Sequence, residues 1–359
     1  CFMQLVRLKA SCFRNLAELD LEFSPCFNFI FGPNGSGKSS LLEAVYFLSL
    51  GRSFRSSLAS RAIQYEAMGF NLFSVISGQF STSVGLEKTR QGKTKIKIGN
   101  NSDAISELAK ILPLQLINPN SYQLLNGGPR ARRQFIDWGV FHVEPTFFPI
   151  WQRFQQVLKQ RNAALQQQVP MNQMKVWNLE LIDVSHQITG LRERYLQKLT
   201  PLIIELMEKL LHLEGLSIDF YQGWDHSLNL DLILSHSFAR DSKLAYTQYG
   251  PQRADLLIRL NGNPVHEVLS RGEQKLLACA LQLAQGLLLK KLINKSCIYL
   301  FDDLFAELDP VRQSCLMQLL HNLDAQVFIT AIEETLIKGF DNSLPGKTFQ
   351  IEQGRVTEK

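Results

Sequence analysis

The segment Gly32-Pro33-Asn34-Gly35-Ser36-Gly37-Lys38-Ser39 restricts what this chain can fold into more than any other. It follows Phe27–Phe31, an apolar run fit for a buried strand, and precedes a helical pattern over residues 39–50. Glycines at this spacing let the backbone curl until several N–H groups face one point, which makes a concave anion site. The N-terminus of the following helix adds partial positive charge. Lys38 adds a full charge, and the Ser39 hydroxyl is placed to ligate a divalent cation. The eight residues Gly32 to Ser39 are therefore expected to form a phosphate cradle on an α/β sheet.

A Mg²⁺ ion held against a phosphate calls for a carboxylate at the end of a neighbouring strand. Cys297–Phe301 reads as a buried strand and Asp302 ends it, so Ser39 and Asp302 are the expected metal ligands. Asp303 either orients or deprotonates an attacking water, or caps the loop. Gln326–Thr330 reads as a further buried strand. Strands alternating with helices here predict a parallel sheet. The first ~110 residues are richer in strand signals, with Glu18–Phe23 alternating strictly.

The middle of the chain is helical. Phe147, Trp151, Phe154, Leu158 and Leu165 recur at heptad spacing, as do Trp177, Leu181, Val184, Ile188, Leu191 and Tyr195. Val169-Pro170-Met171-Asn172 breaks the two runs, which predicts an antiparallel hairpin with arms of about 30 Å. Pro201 is expected to end or kink the second arm. Gln155, Gln156, Gln160, Gln166, Gln167 and Gln168 read as its solvated face. The 359 residues accommodate about two domains. The expected division is a phosphate-binding lobe over 1–112, an inserted helical lobe over 113–245, and the second part of the phosphate-binding lobe over 246–359.

With 45% hydrophobic and 20% charged residues the chain is neither disordered nor a multispan membrane protein. Cys1, Cys12, Cys26, Cys279, Cys297 and Cys315 include no C-x-x-C pair and no zinc spacing, which suits a reduced, cytoplasmic protein. No signal peptide is visible at the N-terminus. The longest apolar stretch, Leu276–Leu289, is interrupted by Gln282 and Gln285 and reads as too short and too polar to span a bilayer.

Leu269-Ser270-Arg271-Gly272-Glu273-Gln274-Lys275 is similar to the L-S-G-G-Q signature of ABC ATPases, with Arg271 for the first Gly and Glu273 for the Gln. Ser270 and Glu273 also form a capping box ahead of an apolar helix. The two readings are compatible, because a helix N-terminus that binds phosphate needs a cap when it holds none. Gly51-Arg52-Ser53-Phe54-Arg55, Leu125–Pro129 with Arg132, Arg133, Asp137 and Trp138, Gly250–Leu256, and Asp302–Asp309 add to the pattern. Together, from about residue 3 to 356, they resemble the RecF family of bacterial DNA gap-repair ATPases. Gln252 stands where that family usually has His.

The resemblance implies an ABC-type ATPase head, a mixed sheet with flanking helices, carrying an inserted compact helical lobe and no long coiled coil. It implies two heads closing head to tail around two ATP molecules with Mg²⁺, and weak, DNA-stimulated hydrolysis. Ser270, Arg271 and Gly272 would meet the γ-phosphate held by the partner's Lys38, and Asp309 would be the D-loop aspartate. Thr330 takes the place of a switch histidine, Gln115 that of the Q-loop residue, and Arg14 that of a basic residue at the nucleotide. The implied partners are double-stranded and gapped DNA, a second copy of the chain, and RecR and RecO, in support of recombinase loading.

Positive charge is mildly in excess, 38 basic against 33 acidic residues, so its placement decides. Lys93, Lys95 and Lys97 alternate with apolar or β-branched residues and would line one face of a strand. That stripe either contacts DNA or protects a sheet edge. Arg52 and Arg55 are further DNA candidates. Arg130, Arg132 and Arg133 either join them or tie lobes together. The competing function is the ATPase subunit of a membrane transporter, which the helical hairpin and the long separation of Gly32 from Asp302 disfavour.

Overall fold

The computed structural model describes residues 3–78, 80–102, 104–333 and 345–359. They form two compact units. The first combines residues 1–121 with 279–359, and the second is Tyr122–Ala278. These boundaries differ from the expected 112/113 and 245/246. Leu114–Ile117 is an edge strand of the parallel sheet, and Leu216–Tyr221 pairs with Asp255–Leu260 inside the second unit, so neither segment leaves its sheet.

The first unit has two six-stranded sheets. One is antiparallel, in the order Leu19–Glu22, Gln4–Ser11, Gly69–Ser77, Thr82–Thr89, Thr94–Ile98, Asn101–Ser102. The other runs Arg355–Glu358, Gly346–Glu352, Phe27–Phe31, Val327–Ala331, Ile298–Phe301, Leu114–Ile117, parallel except for the terminal hairpin. Phe27–Phe31 and Ile298–Phe301 are buried along their whole length, as strands covered on both faces must be. Helix Lys38–Leu50 is packed between the sheets. Its Leu41, Val45, Phe47 and Leu48 share one core with Leu5, Leu8, Phe70 and Leu72 of the first sheet and Ile30, Leu300 and Phe328 of the second. Phe13, Phe47 and Phe70 meet edge to face at its centre, with ring centroids 4.9–5.8 Å apart.

In the second unit, helices Phe147–Gln166 and Lys175–Leu211 form the hairpin. Phe147, Phe154, Leu165, Leu181, Val184, Ile188, Leu191 and Tyr195 are buried, and all six glutamines of the expected solvated face are exposed. The second arm is longer than expected. It runs 37 residues, about 55 Å, and Pro201 lies inside it rather than ending it. Packing of Leu199, Ile203, Leu206 and Met207 in the core holds the helix across the proline.

Two of the sequence blocks meet here. Arg132 makes a bidentate pair with Asp255 at 2.7 and 3.0 Å, and Arg133 donates to Ala254 O. Arg192 makes a bidentate pair with Asp137 and donates to Pro251 O. Arg132 and Arg133 thus join helix Pro129–Val143 to the Gly250–Leu256 block within this unit.

Helix Arg271–Ile293 corrects the bilayer argument. It extends past both ends of the apolar run, and by length and composition it is able to cross a membrane. Yet 67% of its most apolar window is buried, the pattern of a core helix. Cys12, Cys26, Cys279, Cys297 and Cys315 are free thiols, and burial pushes Cys279 and Cys297 far up from the ordinary thiol range. Cys1 lies outside the described residues.

Arg161 is fully buried. It donates to Asp241 Oδ2 at 2.9 Å, Thr247 Oγ1 at 2.6 Å and Asn178 Oδ1 at 2.8 Å. Asp241→Ala strands this cation in the core and is expected to cost about 3–5 kcal/mol. Urea denaturation of the variant against the parent measures it.

Candidate functional site

The strand Phe27–Phe31 delivers the chain into the glycine loop, and helix Lys38–Leu50 starts at its far side. Gly37 is the N-cap, with φ +120, a conformation that L side chains rarely adopt. The cleft in front of the loop holds about 260 Å³ and is lined by Arg14, Asn15, Asn34, Gly35, Gly37, Lys38, Ser39, Ser40, Arg55 and Asp303. Lys38 is 5% exposed, and its Nζ donates to Gly32 O at 2.7 Å and Pro33 O at 3.2 Å. It is folded over the loop's own carbonyls.

Behind the loop lie the ends of two adjacent strands. Ser39 Oγ donates to Asp302 Oδ1 at 2.9 Å. A hydroxyl and a carboxylate in contact at the mouth of a phosphate cradle are hard oxygen donors, which suit Mg²⁺. Among the described residues no group of three or more His, Cys, Asp or Glu is clustered to hold a metal alone, so phosphate and water oxygens would complete the shell. Thr330 is 1% exposed. Its Oγ1 accepts from Asp303 N–H at 2.8 Å and stands 3.1 Å from Asp302 Oδ1 and 3.2 Å from Asp303 Oδ1. One hydroxyl proton serves those two carboxylates, so it donates to one at a time. Asp303 has φ +55, a left-handed conformation that Asp tolerates better than most residues.

Burial pushes the Asp302 carboxyl up from its ordinary value, and neighbouring Asp303 pushes it the same way. The hydrogen bonds from Ser39 and Thr330 and the charge of Arg55 oppose that shift.

Arg14 lines the cleft, as expected, and is rigidly held. It makes a bidentate pair with the fully buried Glu43 at 2.7 and 2.9 Å and donates to Arg61 O. Arg55, a DNA candidate from the sequence, is exposed. It lines the same cleft, because Ser53 Oγ accepts from the Arg55 and Ser56 amides and donates to Glu43, folding residues 53–56 back towards the loop. Arg52 is exposed and lies against the Tyr46 hydroxyl.

Gln115 is not brought to the cleft. In the parallel register it pairs with Tyr299, and Ile117 pairs with Phe301, so Gln115 sits roughly 7 Å short of the strand end. Its amide donates to Gln285 in the interior at 2.8 Å. Asn118, which follows Ile117, holds the position beside Asp302.

Ser270 is exposed and caps helix Arg271–Ile293. Its N–H and Oγ donate to Glu273 Oε2 at 2.9 and 2.7 Å, so the Glu273 carboxylate is turned onto its own helix end. Arg271 is exposed and Gly272 half-buried. Asp309 caps helix Pro310–Asn322 by accepting from Arg312 N at 3.0 Å. Lys95 and Lys97 lie exposed on Thr94–Ile98 with Ile96 buried between them, while Lys93 precedes the strand. Lys95 is 3.6 Å from Glu87.

Two residues escaped the sequence reading. Asn15 contacts Gly35 O through Nδ2 and accepts from Ser40 through Oδ1. Glu43 anchors Arg14. A lone carboxylate within Leu41-Leu42-Glu43-Ala44-Val45 was its signal, since a buried charge requires a partner. Asn15 had none.

The family model for the RecF/RecN/SMC N-terminal domain matches residues 4–355. The chain belongs to the RecF family. The DNA replication and repair protein RecF of Pseudomonas aeruginosa PAO1 is 43% identical over 361 residues, covering 99% of this chain and 98% of its own. That of Haemophilus influenzae is 45% identical over 338 residues, 94% of each. A solved structure of the recombination mediator protein RecF with ATP, of the RecFOR pathway, matches with a TM-score of 0.86 at 26% identity, over 99% of this chain and 98% of that one. The Smc head of Pyrococcus furiosus matches with 0.61 at 16% identity, over 99% and 96%. That likeness shows the fold alone: the ATPase-head fold, here without a long coiled coil.

Because burial raises the Asp302 pKa, its ionised form weighs against folding at neutral pH, and that penalty fades as pH falls through the raised value. Asp302→Asn is expected to melt at higher temperature than the parent at pH 8. The gap should close as pH is lowered into the acid range, as thermal melts of nucleotide-free protein at several pH values report.

Proposed function

We propose that this RecF-family chain binds ATP with Mg²⁺ in the cleft of the first unit, closes head to tail on a second copy around it, and hydrolyses it slowly while bound to duplex or gapped DNA. The observation that carries the reading is that the chain holds two halves of one phosphate site. The glycine loop with Lys38, Arg14 and Arg55 supplies cations and N–H groups to one side of a polyphosphate. At the start of helix Arg271–Ile293, exposed Ser270 with half-buried Gly272 behind it would supply the other side, and Ser270 holds the Glu273 carboxylate on its own helix end. Each copy would thus offer what the other lacks, and nucleotide stabilises the pair by mass action.

In this reading Lys38 leaves Gly32 O and Pro33 O for the β- and γ-phosphates, and Ser39 turns its oxygen from Asp302 to the metal. Mg²⁺ bound between Ser39 and Asp302 would neutralise charge on the phosphates. Asp303 orients and deprotonates the attacking water, with Thr330 holding the Asp303 amide and carboxylate in place. Glu273, turned to its own helix, is kept from repelling the γ-phosphate. Asp309 faces the partner across the closed pair. Relatives act in replication and repair, and one belongs to a RecFOR pathway, which supports DNA, RecR and RecO as partners and recombinase loading as outcome.

Lys38→Arg is expected to abolish ATP-dependent dimerisation in light scattering, and an unchanged dimer defeats the reading. Asp303→Asn should retain ATP binding while phosphate release falls about 100-fold or more, leaving the dimer trapped.

For DNA, exposed Lys93, Lys95 and Lys97 are the candidate contacts, with Lys95 partly neutralised by Glu87. Each phosphate neutralised contributes a slope of about −0.9 in log K against log salt on duplex. Replacing all three by Ala should flatten that slope by roughly two such contacts in a filter-binding titration; an identical slope removes the site.

A further inference from the structure

A loop that turns its N–H groups towards a phosphate must turn its carbonyls the other way, and each buried carbonyl needs a donor. The donors here come from unequal sources. Gly32 O and Pro33 O are held by Lys38 Nζ, with Ser36 N–H also on Pro33 O. Lys38 is the group that would be called away by a phosphate. Gly35 O and Ser36 O are held by groups with no such duty. Asn15 Nδ2 donates to Gly35 O at 3.0 Å, and Gly354 N–H donates to Ser36 O at 2.8 Å.

Gly354 belongs to the turn of the terminal hairpin, between Gly346–Glu352 and Arg355–Glu358. The turn is locked from both sides. Its carbonyl accepts from Ala17 N–H at 2.9 Å, and Gly354 is buried with φ +79. A Cβ there would lie 1.9 Å from Asn15 O. The strand leading into the turn presses on the loop as well, since a Cβ on Gly32 would lie 2.2 Å from Ile351 O. Asn15 is held in turn by Ser40 Oγ, which donates to its Oδ1 at 2.7 Å. The loop's back is therefore clamped by a residue near one end of the chain and a turn near the other, with Ala17–Gly354 linking the two.

We infer that the Gln353-Gly354 turn and Asn15 are positioning residues that hold the phosphate loop open for nucleotide, by fixing the Ser36 and Gly35 carbonyls outward so that the loop's amides stay aimed inward when Lys38 departs. Gly354 lies behind the loop, and Asn15, although it lines the cleft, spends its amide on Gly35 O and Ser40, so both act through the loop. The inference rests on the nucleotide reading above and adds to it where the loop's shape comes from.

The test uses the full chain with Gly354→Ala, Asn15→Ala and, as a control on the same hairpin, Glu358→Ala, whose exposed side chain pairs with Lys347. Binding of Mg-ATP and Mg-ADP is measured by calorimetry, and amide hydrogen exchange is followed in the nucleotide-free protein. Both strap variants should bind ATP and ADP alike more weakly, Gly354→Ala by about 10-fold or more, the scale of one lost buried hydrogen bond, and Asn15→Ala, whose bond to Gly35 O is exposed, by less. Residues 32–39 should exchange faster while Phe27–Phe31 keeps its protection, and Glu358→Ala should match the parent. Parental affinity in both strap variants overturns the inference, as does a loss of protection spread evenly over the unit, which marks a merely structural role. Should Gly354→Ala fail to fold, Asn15→Ala carries the same test. A parent that binds no nucleotide defeats the functional reading instead, and the exchange pattern still decides the clamp.

Discussion

Turning one glycine loop inside out governs the first unit. Its amides can converge only if its carbonyls diverge, and diverging carbonyls must find donors within a packed core. Everything around the loop is arranged to that end: Lys38 folded back over Gly32 and Pro33, Asn15 beneath Gly35, and the terminal turn beneath Ser36. The parallel sheet makes this possible. Gly346–Glu352 pairs directly with Phe27–Phe31, so the chain's last hairpin emerges beside the loop's first residue. The antiparallel sheet contributes the other side, because Arg14 and Asn15 follow its strand Gln4–Ser11.

The second concentration of unfavourable terms lies at the ends of Ile298–Phe301 and Val327–Ala331. Two adjacent aspartates, one in a left-handed conformation, share a single threonine hydroxyl, and Asp302 alone also accepts from Ser39. Strain and desolvation of this kind persist only where the surroundings enforce them. A metal ion and a phosphate would relieve both, since they offer charge and oxygen ligands that the protein itself withholds. Thr330 cannot carry a positive charge, so whatever it senses it senses as a hydrogen-bond partner.

The second unit combines an apolar core along its helical hairpin with three arginine–aspartate pairs. Arg132 with Asp255, Arg192 with Asp137, and Arg161 with Asp241 each join segments far apart in sequence. Buried pairs of this kind add little net stability but penalise any alternative packing that separates them. The two sequence blocks Leu125–Trp138 and Gly250–Leu256 thereby form halves of one set of contacts.

Local chemistry was legible in the sequence wherever function depends on neighbours along the chain. The glycine loop, the strand before it, the helix after it, the capping box at Ser270 and Glu273, and the acidic strand end at Asp302 each announce themselves by spacing. Periodicity likewise gave the hairpin and its buried seams but left open whether Pro201 ends or kinks the second arm; the helix continues there because core packing outweighs one missing N–H. Register and return paths were decided only by tertiary structure. Whether Gln115 or Asn118 reaches the strand end depends on how Leu114–Ile117 aligns with Ile298–Phe301, and a strand carries no mark of its alignment. Arg55 reads as one more surface cation until Ser53 and Glu43 fold it to the cleft. Asn15 and Gly354 reveal nothing alone, for a side-chain amide and a glycine turn are common everywhere. They acquire a role only when packing sets them against two particular carbonyls, a relation between distant residues that no local pattern encodes.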